Sequence, residues 1–206
     1  MNQKIIKNTL ILTAITLISG LLLGFVYEIT KEPIAASREN RKQEAYHTVF
    51  QEAETFQTFE VFEEKEAEEI LRNAGVSGCY VNEAAVALDS GKNAIGSVIT
   101  ATSKEGYGGE IKVSVGITLD GTVTGIELLS ISETAGLGMN AQEPEFKEQF
   151  QDVNTDQFEV VKGDGGKEGK IDALSGATIT TDAVTNAVNA AVAYYHGAME
   201  GGSGNE

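Results

Sequence analysis

Residues 8–27, NTLILTAITLISGLLLGFVY, contain no charged side chain. As a helix, such a stretch rises about 30 Å at ~1.5 Å per residue, which matches the hydrocarbon core of a bilayer. A cleaved signal peptide has a shorter apolar region, about 7–15 residues, and needs a small-x-small cleavage site, which does not follow here. The stretch therefore reads as an uncleaved single-pass anchor behind a stub of residues 1–7. Lys4 and Lys7 precede it and Lys31, Arg38, Arg41 and Lys42 follow it, so the basic residues leave its orientation undecided. A short stub before one span is the usual form of a signal anchor, and long domains cross largely regardless of charge. That form places the remaining chain on the extracytoplasmic side of the cell membrane.

The 206 residues allow one domain with a full core plus the anchor and a connecting segment. Lys and Arg number 15 against 31 Asp and Glu, a formal charge of −16. Because both basic residues before position 28 are lysines and no acid lies there, the balance of residues 28–206 is −18. Such an excess repels phosphate backbones and argues against a nucleic-acid partner. One Cys excludes an intrachain disulfide framework and a Cys-rich zinc site. Any chemistry must come from hydroxyls, backbone dipoles, carboxylates or an imported cofactor.

Pro33 can open a helix, and residues 35–50 place Ala36, Ala45, Val49 and Phe50 among charges, which predicts an amphipathic stalk. Residues 60–72 are helical in pattern and end at Gly75; their run EEKEAEE is a solvated face. From 80 to 131 the pattern turns to short β-rich runs, YVNEAAVAL, AIGSVITAT, EIKVSVGITL and TVTGIELLSI. Asp120-Gly121 joins the last two as a hairpin turn, since glycine accepts the positive φ that a tight turn needs. A short helix at 144–150, a strand at 158–162, a Gly-rich loop at 163–169 and a helix at 181–195 follow, the last with Ala183, Val184, Ala187, Val188, Ala191 and Val192 on one stripe. The tail, 198–206, is expected to be flexible.

Several motifs fall short. Gly169-Lys170 has Asp164 where a P-loop needs its first glycine and Ile171 where it needs a magnesium-binding hydroxyl. Asp152, Asn154 and Asp156 have the spacing of a calcium loop, but Gln157 and Gly163 occupy its glycine and bidentate-glutamate positions. His47 and His196 are far apart and without Cys, and Cys79 has no redox partner. No residue set here makes a metal site or an acid, base or nucleophile for catalysis.

The informative segment is Asp172-Ala-Leu-Ser175-Gly176-Ala177-Thr178-Ile-Thr180-Thr181-Asp182, directly before the closing helix. Its small residues allow a tight turn, and Thr180, Thr181 or Asp182 can cap the helix. The same geometry puts free N–H groups and the positive helix end beside Thr178, a seat for phosphate. A cap alone is the simpler alternative.

The pattern D-x-x-S-G-A-T resembles the acceptor sequence read by flavin transferases in the FMN-binding domains of Rnf and Nqr redox pumps. Gly106-Tyr107-Gly108-Gly109, a strand, the Asp120-Gly121 turn and Glu133-Thr134-Ala135-Gly136-Leu137-Gly138 resemble further elements of the same family in the same order. With the anchor and stalk, the similarity spans nearly all of residues 1–197 and is greatest to the Rnf G subunit, with the Nqr C subunit as the relative to set apart. The resemblance implies an α+β fold: one transmembrane helix at 8–27, a stalk and helical segment at 28–75, and an FMN-binding domain at 76–197 with a mainly antiparallel sheet and flanking helices.

It further implies that Thr178 carries FMN through a phosphoester, with Asp172, Ser175, Gly176, Ala177 and Thr180 forming the acceptor segment. Glu133, Thr134, Gly136, Leu137 and Gly138 would lie against the isoalloxazine ring. Tyr107 would pack on that ring or in the core, and Lys162 and Lys170 are candidate cations near the phosphate or the reduced flavin. The implied partners are other subunits of a membrane redox complex, a maturing flavin transferase and membrane lipid. The implied role is an electron relay in an ion-translocating ferredoxin:NAD oxidoreductase. A stand-alone flavoprotein of extracellular electron transfer and a flavin-free binding domain are the competing readings.

Overall fold

The computed structural model describes residues 3–59, 62–163, 165 and 168–200. The chain divides into two units, residues 1–42 and 43–206. In the first, helix α1 (Gln3–Val49) begins and holds a stretch long and apolar enough to cross a membrane, with none of that window buried. The separate stalk helix expected from Pro33 does not form, because α1 runs through Pro33 without interruption. An interior proline removes its own N–H from the ladder and crowds the carbonyl four residues back, at a cost of about 3 kcal/mol.

The second unit takes the end of α1 and continues through β1 (Thr55–Thr58), α2 (Glu64–Asn73), β2 (Cys79–Leu88), β3 (Ala94–Ser103), β4 (Ile111–Thr118) and β5 (Thr122–Ser130). A 3-10 turn (Gly138–Gln142), short helix α3 (Pro144–Lys147), β6 (Val153–Asn154), β7 (Glu159–Val161), β8 (Lys170–Asp172) and α4 (Thr178–Tyr194) follow. Strands β1 to β6 pair in sequence order as one antiparallel sheet, and β7 pairs with β8 in parallel. The four β-rich runs of the sequence are β2 to β5. Strands β1, β6 and β8 were not expected, being too short to show a period of two.

Alternation on the central strands decides which face is which. Val113, Val115 and Ile117 of β4, with Ile99 and Ala101 of β3, pack in one core with Val184, Val188 and Ala191 of α4. The opposite face carries Thr100 and Ser114, whose hydroxyls bond at 3.0 Å, and is covered by Tyr46, Val49 and Phe50. Two glycines make that cover possible. A Cβ on Gly96 would lie 2.5 Å from the Phe50 ring, and one on Gly116 would lie 2.6 Å from the Val49 carbonyl oxygen.

Helix α4 begins at Thr178, earlier than the expected 181, and passes into a π turn (Tyr195–Glu200), beyond the domain end expected at 197. The tail at 201–206, residues 60–61 of the expected acidic helix and parts of the 163–169 loop lie outside the described residues.

Candidate functional site

Three chain segments meet at the start of α4. The first is the loop 104–110 between β3 and β4, the second is 131–138 after β5, and the third is the turn 173–177 after β8. Gly136 and Gly176 both hold positive φ, +75° and +74°, which lets their loops reverse tightly. In the third segment the Ala177 N–H donates to Leu174 O (3.0 Å), and Thr181 locks the turn from inside. Its Oγ1 accepts from the Leu174 N–H and donates to Ala177 O, both at 3.0 Å. Thr181 therefore closes the turn before the helix, and the N-cap position falls to Ala177 instead of the Thr180, Thr181 or Asp182 cap expected.

No side chain caps α4. The N–H groups of Thr178, Ile179 and Thr180 have no intrahelical acceptor, and the positive end of the helix macrodipole is open. Thr178 is the first helical residue, and its side chain is exposed with no hydrogen-bond partner among the described residues. Its hydroxyl is thus available for chemistry at the point where backbone dipoles favour an added anion.

Glu133 ties the segments together. Its Oε1 accepts from the Gly108 N–H (3.0 Å) and its Oε2 accepts from Thr180 Oγ1 (3.1 Å). Glycine makes room around it. A Cβ on Gly138 would stand 2.5 Å from Thr180 Oγ1 and 2.7 Å from Glu133 Cβ, and one on Gly108 would run into the Ser132 carbonyl.

The result is an open cleft of about 640 Å³, lined by Tyr107, Glu133, Thr134, Leu137, Gly138 and residues 176–180. Beyond residue 42, the large hydrophobic side chains left exposed among the described residues are Tyr107, Leu119, Leu137 and Ile179. All but Leu119 line this cleft. Tyr107, 71% exposed, is no part of the core. Ile179 is the residue sequence reading missed, because a helix taken to start at 181 left it in the preceding loop.

The remaining candidates lie outside the lining. Gly136 shapes its loop from outside, Ser175 is exposed on the turn, and Lys162 and Lys170 are exposed on β7's flank and on β8. Asp172 is half-buried: its N–H donates to Gln149 Oε1 (2.6 Å), while its Oδ1 is buried without a partner among the described residues. Among the described residues, no Lys, Arg or His lines the cleft.

These residues fit an FMN. The volume is within the range of about 300–1,000 Å³ for small-molecule sites. The uncapped helix end suits a phosphate, and the apolar trio offers contact area to a flat ring. A bound flavin supplies one- or two-electron redox chemistry whose potential the surrounding charges and hydrogen bonds tune.

Comparison with known proteins agrees with this geometry. Residues 106–193 match the family model described as FMN-binding domain, and residues 1–49 match the RnfG N-terminal region. The chain is 35% identical to the G subunit of the proton-translocating ferredoxin:NAD(+) oxidoreductase complex of Clostridium ljungdahlii, over 88% of this chain and 86% of that one. It is 30% identical to the G subunit of the Na(+)-translocating ferredoxin:NAD(+) oxidoreductase complex of Acetobacterium woodii, over 94% of this chain and 92% of that one. Among solved structures, NqrC of Shewanella oneidensis aligns with a TM-score of 0.48 at 21% identity, covering 56% of this chain and 58% of that one. With that identity to a full-length relative and family models matching both its anchor and its domain, the chain belongs to the G-subunit family of Rnf-type ion-translocating oxidoreductase complexes.

Proposed function

We propose that this chain is the covalently flavinylated electron carrier of an ion-translocating ferredoxin:NAD oxidoreductase complex, anchored by residues 8–27 with its FMN-binding domain, 76–197, outside the cytoplasm. The observation that carries the reading is the exposed Thr178 hydroxyl, without a partner among the described residues, at an uncapped helix start beside the cleft that holds exposed Tyr107, Leu137 and Ile179.

Thr178 is the attachment point, through a phosphoester to FMN. Ser175 and Gly176, exposed on the turn before it, and Asp172 are the features that a flavin transferase reads. The N–H groups at the start of α4 receive the phosphate oxygens; Tyr107, Leu137 and Ile179 contact the ring. Lys162 and Lys170 act on the cofactor only at longer range, because neither lines the cleft. A protein on the extracytoplasmic side meets no dependable pool of free FMN, and a phosphoester makes loss of the cofactor negligible while leaving the ring unsubstituted. The cleft contains no acid–base pair or nucleophile arranged for substrate turnover, which suits a relay between other subunits. Ferredoxin contact, the NAD site and ion passage belong to those subunits.

Intact-mass measurement of the full chain coexpressed with a flavin transferase tests the assignment. The expected product is heavier by FMN minus water, and its yellow colour stays with the denatured polypeptide. Thr178→Val is expected to abolish both while leaving the fold intact by circular dichroism. Bound colour retained in that variant would move the attachment elsewhere.

A further inference from the structure

Ile179 lines a second pocket as well as the cofactor cleft. This pocket, about 530 Å³, runs along α4 between Glu105, Gln157, Glu159, Asp182, Thr185 and Asn186. Three of those residues are carboxylates, and among the described residues no Lys, Arg or His is in its lining. Asn186 Nδ2 donates to Glu105 Oε2 (3.0 Å), which fixes one carboxylate at the edge.

An acidic rim by itself is only a solvated surface. Thr185 is the distinguishing feature: it is 2% exposed, and its Oγ1 is buried with no hydrogen-bond partner among the described residues. A threonine inside a helix usually returns its hydroxyl to the carbonyl four residues back, as Thr181 does to Ala177 (3.0 Å). A buried hydroxyl left unpaired is a cost to the free domain and marks a place where a partner atom is missing. The pocket thus combines a buried, unpaired hydroxyl among its lining residues with the negative charge of three carboxylates. That chemistry suits a cationic group with several N–H donors on a flexible stem long enough to reach inward.

The surroundings select a protein as the source of that group. The pocket adjoins exposed Ile179, with exposed Tyr107 and Leu137 across the neighbouring cleft. An apolar centre beside a charged rim is the anatomy of a protein interface. The −18 balance of residues 28–206 steers a basic surface toward it. We propose that this pocket receives a Lys or Arg side chain of the redox protein that docks over the flavin, an inference that rests on the placement of FMN at Thr178.

The test uses the full chain in its assembled complex in native membranes, with the photo-crosslinking amino acid p-benzoylphenylalanine in place of exposed Gln157. The expected result is an adduct to a segment of another subunit that carries Lys or Arg, identified by peptide mass. The pair Glu159→Lys with Asp182→Lys should cut its yield at least tenfold. Glu64→Lys with Glu68→Lys, the same charge change on α2, should not. Thr185→Val should reduce the yield several-fold with no fall in thermal stability, since the hydroxyl it removes has no internal partner.

The inference is overturned if no adduct to a basic segment forms, if the adduct survives the charge reversal, or if the α2 pair lowers it equally. An adduct with the mass of the flavin also overturns it, because the cofactor then fills the pocket. Flavin content is read by intact mass on the same samples. Its absence from the unaltered chain defeats the Thr178 reading separately, and the crosslink still decides whether a basic segment occupies the pocket.

Discussion

Glu133 does at one position what the cleft requires of three segments. Its two oxygens hold the Gly108 backbone and the Thr180 hydroxyl, so the loop bearing Tyr107, the loop bearing Leu137 and the start of α4 share one hub. That hub depends on the absence of a side chain at Gly138. Gly138→Ala places a methyl group against Glu133 and Thr180, and overpacking of this kind costs roughly 1–3 kcal/mol. A urea unfolding midpoint should fall accordingly, and the fraction of chains carrying flavin should fall with it; an unchanged midpoint would show that the loop gives way freely. Thr178, Glu133, Thr134, Leu137 and Gly138, candidates from the sequence, all line the cleft. The division of labour among the hydroxyls was not legible in the sequence. Thr181 and Thr178 are alike as residue types, and only the backbone path shows that Thr181 is consumed within the turn while Thr178 is left free.

At the scale of elements, α4 is both the core's main helix and the clamp for the chain that crosses it. Asn189 is 4% exposed, accepts from the Phe158 N–H (2.7 Å) and donates to the Phe158 carbonyl (3.0 Å). It therefore stands in for a strand partner at the entry to β7. Asn189→Ala strands two buried backbone groups, each at a penalty of about 1–3 kcal/mol, so a loss of roughly 2–6 kcal/mol is expected in chemical denaturation. A loss below the uncertainty of the fit would mean that water replaces the amide. The β4–β5 hairpin gives a different signature. The Asp120 carboxyl is held below the ordinary carboxylate range by the Thr118 hydroxyl and then by the Thr122 N–H. Its folded pKa being the lower one, its contribution is full above the unfolded value near ~3.9 and disappears as pH falls through the folded value. Asp120→Asn should therefore lower the melting temperature at neutral pH, and the gap from the unaltered protein should narrow on acidification. A gap that stays constant between neutral and acid pH would contradict this assignment. The Asp-Gly turn was plain in the sequence because Gly121 is a local signal, with φ of +83°. The role of Asn189 left no such signal, because a lone Asn in an apolar stripe gives no indication of what it faces.

For the whole molecule, the boundary between its units falls inside one helix. The second unit begins at residue 43, and Tyr46, Val49 and Phe50 are each 2% exposed beneath the sheet face opposite α4. A chain of residues 43–206 is expected to be released from the membrane and to unfold cooperatively. A chain of residues 51–206 loses three core side chains at about 1.5–3 kcal/mol each, a deficit on the order of 5 kcal/mol or more. Equal denaturation midpoints for the two would show that the end of α1 is no part of the domain. What depends on neighbours along the chain was readable in the residues themselves: the 8–27 apolar stretch, the four long strands and the Asp-Gly turn. A charge-free run, an alternation of two and a turn dipeptide are each complete within a few residues, so composition and spacing suffice to read them. Tertiary structure alone decided that α1 continues into the core, that α4 starts at Thr178, that Ile179 borders two pockets and that Glu133 joins three loops. Those outcomes depend on which distant segments exclude water from one another, and that information is absent from any local window of residues.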